Sequence, residues 1–149
     1  MKSLRIILFV VAMLCCQIVW AAPKGTILYV PLDNRPVCLS YAVATMEKAG
    51  WEVKTPPLEY IASVERGGNP DALFAWLVDN ADESLAMVIS SDALIYGGLV
   101  DSRTHNLPLE VLRARADRLV ELKKEFRDQL VYVFTTIMRS PKMSAAPIE

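Results

Sequence analysis

Three apolar, β-branched runs punctuate the chain: TILYVPL at 26–32, LAMVISS at 85–91 and LVYVFTTI at 130–137. Each is continuously apolar rather than alternating, which predicts strands buried on both faces of a parallel sheet. A shorter candidate, WEVKT at 51–55, lies between the first two. Helical spacing fills the gaps. Leu39, Ala42, Val43 and Met46 form a stripe within 37–50, which Gly50 stops. Asn69 and Pro70 read as N-cap and first position of a helix over 69–81, with Leu73, Trp76 and Leu77 as its apolar stripe. The clearest helix covers 107–129, where Leu112, Leu119, Leu122 and Phe126 face one way and Glu121 and Lys124 share a charged side. The Pro- and Gly-punctuated stretch 56–69 predicts a surface loop.

The order strand, helix, short strand, helix, strand, long helix, strand is that of an α/β fold. We expect a mostly parallel sheet with flanking helices, either Rossmann-like or a partial (β/α) barrel. After the last run, RSPKMSAAPIE has no periodicity and supplies no closing element. An open four-stranded sheet leaves bare edges, so the α/β domain, residues 22–149, is expected to be the N-terminal fragment of a longer one.

The first residues carry a different pattern. MKSLR brings two positive charges, IILFVVAMLCCQIVW an apolar stretch, and VWAAP the small residues of a cleavage site. Residues 1–21 thus read as a secretory signal peptide, cut after Ala21 with Val19 and Ala21 as the small residues. The apolar run is shorter than the ~20 residues that span a bilayer. The expected location is therefore periplasmic or extracellular, with no stable membrane span after cleavage.

Charge and rare residues narrow the function. Loss of 1–21 removes Lys2 and Arg5, leaving fourteen basic against seventeen acidic residues and a net charge of −3 instead of −1. A mildly acidic exported protein does not suit nucleic acid, whose phosphates need a basic face. Cys38 is then the sole cysteine and His105 the sole histidine. No internal disulfide and no zinc site of the usual multi-His or multi-Cys kind is expected. No cofactor is implied, and the expected partner is a small molecule or glycan.

Each strong run ends in polar residues. Asp33, Asn34 and Arg35 follow the first; Ser90, Ser91 and Asp92 the second; Thr135, Thr136 and Arg139 the third. In parallel α/β folds the carboxyl ends of the strands form the ligand-binding face. Asp33 and Asp92 are candidate catalytic carboxylates. Strands are ~4.8 Å apart, compatible with the ~5–5.5 Å carboxyl spacing of retaining glycosidases or, one strand further, the ~6.5–9.5 Å of inverting ones. Arg35, Arg103 and Arg139 offer planar donor forks for carboxylates, phosphates or sugar hydroxyls. Tyr96 offers a stacking platform, and Gly97 and Gly98 allow close backbone approach. Structural roles compete with each. Asp33 can cap a helix starting near Pro36, Arg35 can pair with Asp33 or Asp92, and the two glycines can simply form a turn.

The segments YVPLDNRPV, SSDALIYGGLVDSRTH and FTTIMRSP resemble, in order, the hallmark segments of a bacterial family catalogued as domain of unknown function family 4127. The resemblance spans about 25–141 and departs from the common pattern at Asn34, where an acidic residue is usual, and at Cys38, where a polar one is. It implies a longer parent protein, and Asp33, Arg35, Asp92, Tyr96, Gly97, Gly98, Arg103 and Arg139 match its hallmark positions. It implies no activity. The residues themselves suggest an exported hydrolase acting on glycans. The competing expectations are a non-catalytic binding domain for a small anionic or sugar ligand, or an inactive fragment.

Overall fold

The computed structural model describes residues 22–137. The segment read as a signal peptide and Arg139 both lie outside the described residues. Four strands form one sheet: β1 (Thr26–Val30), β2 (Glu52–Lys54), β3 (Ala86–Ser90) and β4 (Leu130–Phe134). Its order is β2-β1-β3-β4, and every pairing is parallel. A (β/α) barrel pairs consecutive strands, so the insertion of β1 between β2 and β3 selects the doubly wound, Rossmann-like alternative. The connection direction reverses between β1 and β3, which makes the gap between their carboxyl ends the topological switch point.

Five helices join the strands: α1 (Ser40–Lys48), α2 (Pro70–Asn80), α3 (Ser91–Ile95), α4 (Leu99–Thr104) and α5 (Leu109–Glu125). Asn69 caps α2 as its sequence suggests, its side chain accepting from the Ala72 amide at 3.1 Å with Pro70 in the first turn. The short helices α3 and α4 fall in a stretch to which the apolar pattern assigned no helix, because five or six residues are too few for a period to show. No helix among the described residues is long and apolar enough to cross a membrane.

The core lies on one face of the sheet. Leu28 and Val30 of β1 stand beside Met87 and Ile89 of β3, and Leu73, Phe74 and Leu77 of α2, Leu94 of α3 and Leu122 of α5 close over them. Leu119 and Phe126 pack at its margin. The opposite face opens progressively toward β4. In the row Tyr29, Val88, Tyr132 the first residue is buried, the second half-buried, and the third 59% exposed. α1 buries none of its residues and leaves its stripe half-covered. The expectation of burial on both faces thus holds for β1 and fails for β4, which has no strand beyond it among the described residues.

Candidate functional site

The polar residues at the strand ends take up defined partners. Past β1 the chain turns sharply. Asp33 Oδ1 accepts the Arg35 backbone amide at 3.1 Å, and Oδ2 accepts Arg35 Nε at 2.9 Å and Nη2 at 2.6 Å. The Arg35 carbonyl in turn accepts the amides of Cys38 and Leu39. Asp33 therefore closes a turn rather than capping α1, whose N-terminus has no side-chain cap. The Asp33 side chain is 7% exposed and that of Arg35 43%. Arg35 thus presents one edge to the carboxylate and part of its guanidinium to solvent.

This pairing sets the local electrostatics. Burial pushes the Asp33 carboxyl up, but the hydrogen bonds from the Arg35 side chain and backbone, with help from the Cys38 thiol, outweigh it and leave the group below its ordinary value. The bond to Asp33 raises Arg35 further, so both groups stay charged. Burial, then the hydrogen bond to Asp33, pushes the Cys38 thiol up, which disfavours a reactive thiolate. Burial also raises Tyr29, whose hydroxyl donates to the Cys38 carbonyl.

Past β3, Ser90 caps α3 by accepting the Ala93 amide at 3.3 Å. The next two residues reach across to β4. Ser91 Oγ lies 2.6 Å from Thr135 Oγ1 and donates to the Phe134 carbonyl at 3.2 Å. Asp92 Oδ2 accepts both the Thr136 amide at 2.9 Å and the Thr136 hydroxyl at 2.6 Å. The Asp92 carbonyl accepts the amides of Tyr96, Gly97 and Gly98 at 3.1, 3.1 and 3.2 Å. One buried residue thus ties the end of β4 to the turn after α3.

That turn explains the glycines. Gly97 has φ 108° and Gly98 φ 152°, and a Cβ on Gly98 would come 2.4 Å from Ala62 Cβ. The close approach is to the protein's own 60–68 segment: Gly68 donates to the Gly97 carbonyl at 2.8 Å, and Asn34 to the Ala62 carbonyl at 2.8 Å. Tyr96 is half-buried and has His105 against its ring, centroids 4.8 Å apart and planes at 32°. Arg103 sits half-buried in the last turn of α4.

Asp33 and Asp92 lie just past the ends of adjacent strands, Asp33 in a turn and Asp92 in the first turn of α3. Val30 pairs with Ile89, and each aspartate comes three residues later. Both are nearly buried, at 5% and 4% exposure. Each is also already engaged, Asp33 by Arg35 and Asp92 by Thr136. Among the described residues no three His, Cys, Asp or Glu side chains come together in a way that could hold a metal. Sequence reasoning missed the part played by the 56–69 loop, where Ala62 and Gly68 meet the turns after β1 and α3. Its composition marked it only as a surface connection.

Comparison with curated proteins found no match. A family model described as "Protein of unknown function (DUF4127)" matches residues 27–149. It takes in the Asp33–Arg35 turn, the Asp92 hub, the glycine turn and the end of β4, and on that match the chain belongs to the DUF4127 family.

Proposed function

We propose that this protein is an exported binding domain whose strand-end site takes a small anionic or hydroxyl-rich ligand, with Arg35 as the contact and Asp33 as the group that orients it. The supporting observation is the two-pronged Asp33–Arg35 pair at the switch point. A buried carboxylate fixes Nε and Nη2 while the Arg35 side chain stays 43% exposed, so its direction is set before any ligand arrives. Export rests on the charge and apolar pattern of residues 1–21. The test is calorimetric titration of the protein with glucuronate, N-acetylglucosamine and inorganic phosphate. Binding by one probe, weakened about tenfold or more in Arg35→Ala, is the expected result. Equal affinity in the variant would remove Arg35 from the site.

A second reading, hydrolysis of a glycan, draws on Asp33 and Asp92 each following the end of one of two neighbouring strands by the same number of residues from the Val30–Ile89 pair. The Arg35 pair keeps Asp33 ionised, as a nucleophile or general base requires, and Asp92 would be the second carboxyl of the pair. This reading requires turnover of an aryl glycoside that Asp92→Asn abolishes while the probe still binds.

A further inference from the structure

The Asp92 carboxylate is engaged on one side only. Oδ2 accepts the Thr136 amide at 2.9 Å and the Thr136 hydroxyl at 2.6 Å. Oδ1 meets no donor among the described residues, although Asp92 is only 4% exposed. A buried carboxylate oxygen without a donor is costly, and few native groups are left that way. Asp33, by contrast, has both oxygens filled, Oδ1 by the Arg35 amide and Oδ2 by the Arg35 side chain. The two bonds from Thr136 also fix the Asp92 carboxyl, so Oδ1 is held in one place.

The hydroxyls beside it have their protons committed. Ser91 Oγ donates to the Phe134 carbonyl at 3.2 Å, so Thr135 is the donor in the 2.6 Å contact between the two hydroxyls. Thr136 gives its hydroxyl proton to Asp92. The β3–β4 end therefore has acceptors left over: Asp92 Oδ1 and the oxygen of Thr135, an exposed residue. The end of β1 is opposite in kind. Arg35 carries donors alone, Nη1 is not used in its pair with Asp33, and its side chain is 43% exposed. β1 and β3 are neighbours in the sheet, and neighbouring strands are ~4.8 Å apart, within the width of a single sugar-sized molecule.

We infer that Asp92 Oδ1 is a second ligand contact, an acceptor for a ligand hydroxyl, and that Thr136 positions it. Together with Arg35 it selects a polyhydroxylated, sugar-like ligand over a simple anion. The selection rests on the Arg35 contact proposed above; the role of Asp92 does not. A hydroxyl both donates and accepts, so a polyol satisfies Asp92 and Arg35 at once. Inorganic phosphate satisfies Arg35 but brings negative charge toward the Asp92 carboxylate.

Nuclear magnetic resonance of the full chain, titrated in turn with N-acetylglucosamine, glucuronate and inorganic phosphate, reads the two contacts separately. The Thr136 amide reports Asp92, and the Arg35 Nε–H reports Arg35. With either sugar the Thr136 amide is expected to shift and saturate, and with phosphate to stay in place. A Thr136 amide that no probe moves would leave Oδ1 to solvent water and overturn the inference, and one that phosphate moves as far as the sugars do would overturn the selectivity. Movement of the Arg35 Nε–H alone would overturn Asp92 and leave the Arg35 contact standing; movement of Thr136 alone would do the reverse. Asp92→Asn puts an NH2 donor in place of Oδ1 and keeps an oxygen for Thr136. It is expected to weaken N-acetylglucosamine binding at least about tenfold without weakening phosphate. Equal loss for every probe would mark a purely structural Asp92, and unchanged N-acetylglucosamine affinity, which the hydrolytic reading requires, would exclude Oδ1 as the contact. Thr136→Val should lower the same affinity severalfold and Thr136→Ser restore it; equal affinities in these two variants would remove Thr136 as the positioning group.

Discussion

The Asp92 carboxylate holds Thr136 twice through a single oxygen, by the backbone amide at 2.9 Å and by the hydroxyl at 2.6 Å. With Asp92 only 4% exposed, its removal leaves these donors with neither partner nor full solvent. Asp92→Ala is expected to destabilise by about 1–3 kcal/mol, and Thr136→Val, which keeps the amide bond, by about 1–2 kcal/mol. Combined, the two should cost less than their sum, with a coupling of about 0.5–2 kcal/mol. Urea unfolding of the four proteins measures it. Strict additivity would show that the hydroxyl–carboxylate bond contributes nothing to the end of β4.

Asp33 predicts a pH dependence. Its carboxyl lies below the ordinary 3.8 in the folded chain. A depressed folded value means the unfolded chain binds the proton more readily, so the pair's stabilisation is fully present above that ordinary value. It is lost as pH falls through the folded value. Arg35→Met removes the largest downward influence and leaves burial opposed only by the residue-35 amide and Cys38. The variant's stability should therefore fall less steeply on acidification than the parent's. Urea midpoints between about pH 2 and pH 5 decide it. Parallel acid limbs in the two proteins would mean that Asp33 does not respond to Arg35.

How far the site was legible varies from residue to residue. Asp33, Arg35 and Asp92 stand out in sequence because charged residues directly after a continuous apolar run must lie at a strand end. Their partners do not stand out to the same degree. Asp33 meets a neighbour two residues away, a pairing the spacing already allowed. Asp92 meets Thr136, far along the chain, through the β3–β4 register that places Ser90 beside Phe134. Only the strand order makes them neighbours, and no local pattern encodes that order. The glycine turn was misread in direction for the same reason. Gly97 and Gly98 do permit a close approach, but what approaches is the 60–68 segment, whose docking depends on tertiary contacts.

Gly97 can be tested on its own. Its φ of 108° lies where a Cβ is strained whatever space surrounds it. Gly97→Ala is expected to cost about 1–3 kcal/mol. A change below a few tenths of a kcal/mol would show that the turn relaxes into another conformation.

The cap of α2 offers a cleaner case, since it was readable from sequence and involves one bond. Asn69→Ala removes the acceptor for the Ala72 amide and should cost about 1 kcal/mol. Asn69→Asp should be tolerated, because Asp caps as well and its charge suits a helix N-terminus. Equal loss in both variants would mean that the contact works through something other than capping.

β4 carries the last prediction. Leu130, Tyr132 and Val133 are 53%, 59% and 45% exposed, on a strand whose outer edge pairs with nothing among the described residues. An open edge with apolar side chains is a template for another chain. The isolated protein should self-associate as its concentration rises, and a charge on the edge should oppose this. Tyr132→Lys replaces an exposed ring, so its effect on stability should stay within about 0.5 kcal/mol. Light scattering across a concentration series should show less association in the variant. Undiminished association would place the contact elsewhere, with the half-covered stripe of α1 the next surface to test. A large loss of stability would instead mean that Tyr132 packs against the body of the protein, and that the outer face of β4 is more ordered than its exposure suggests.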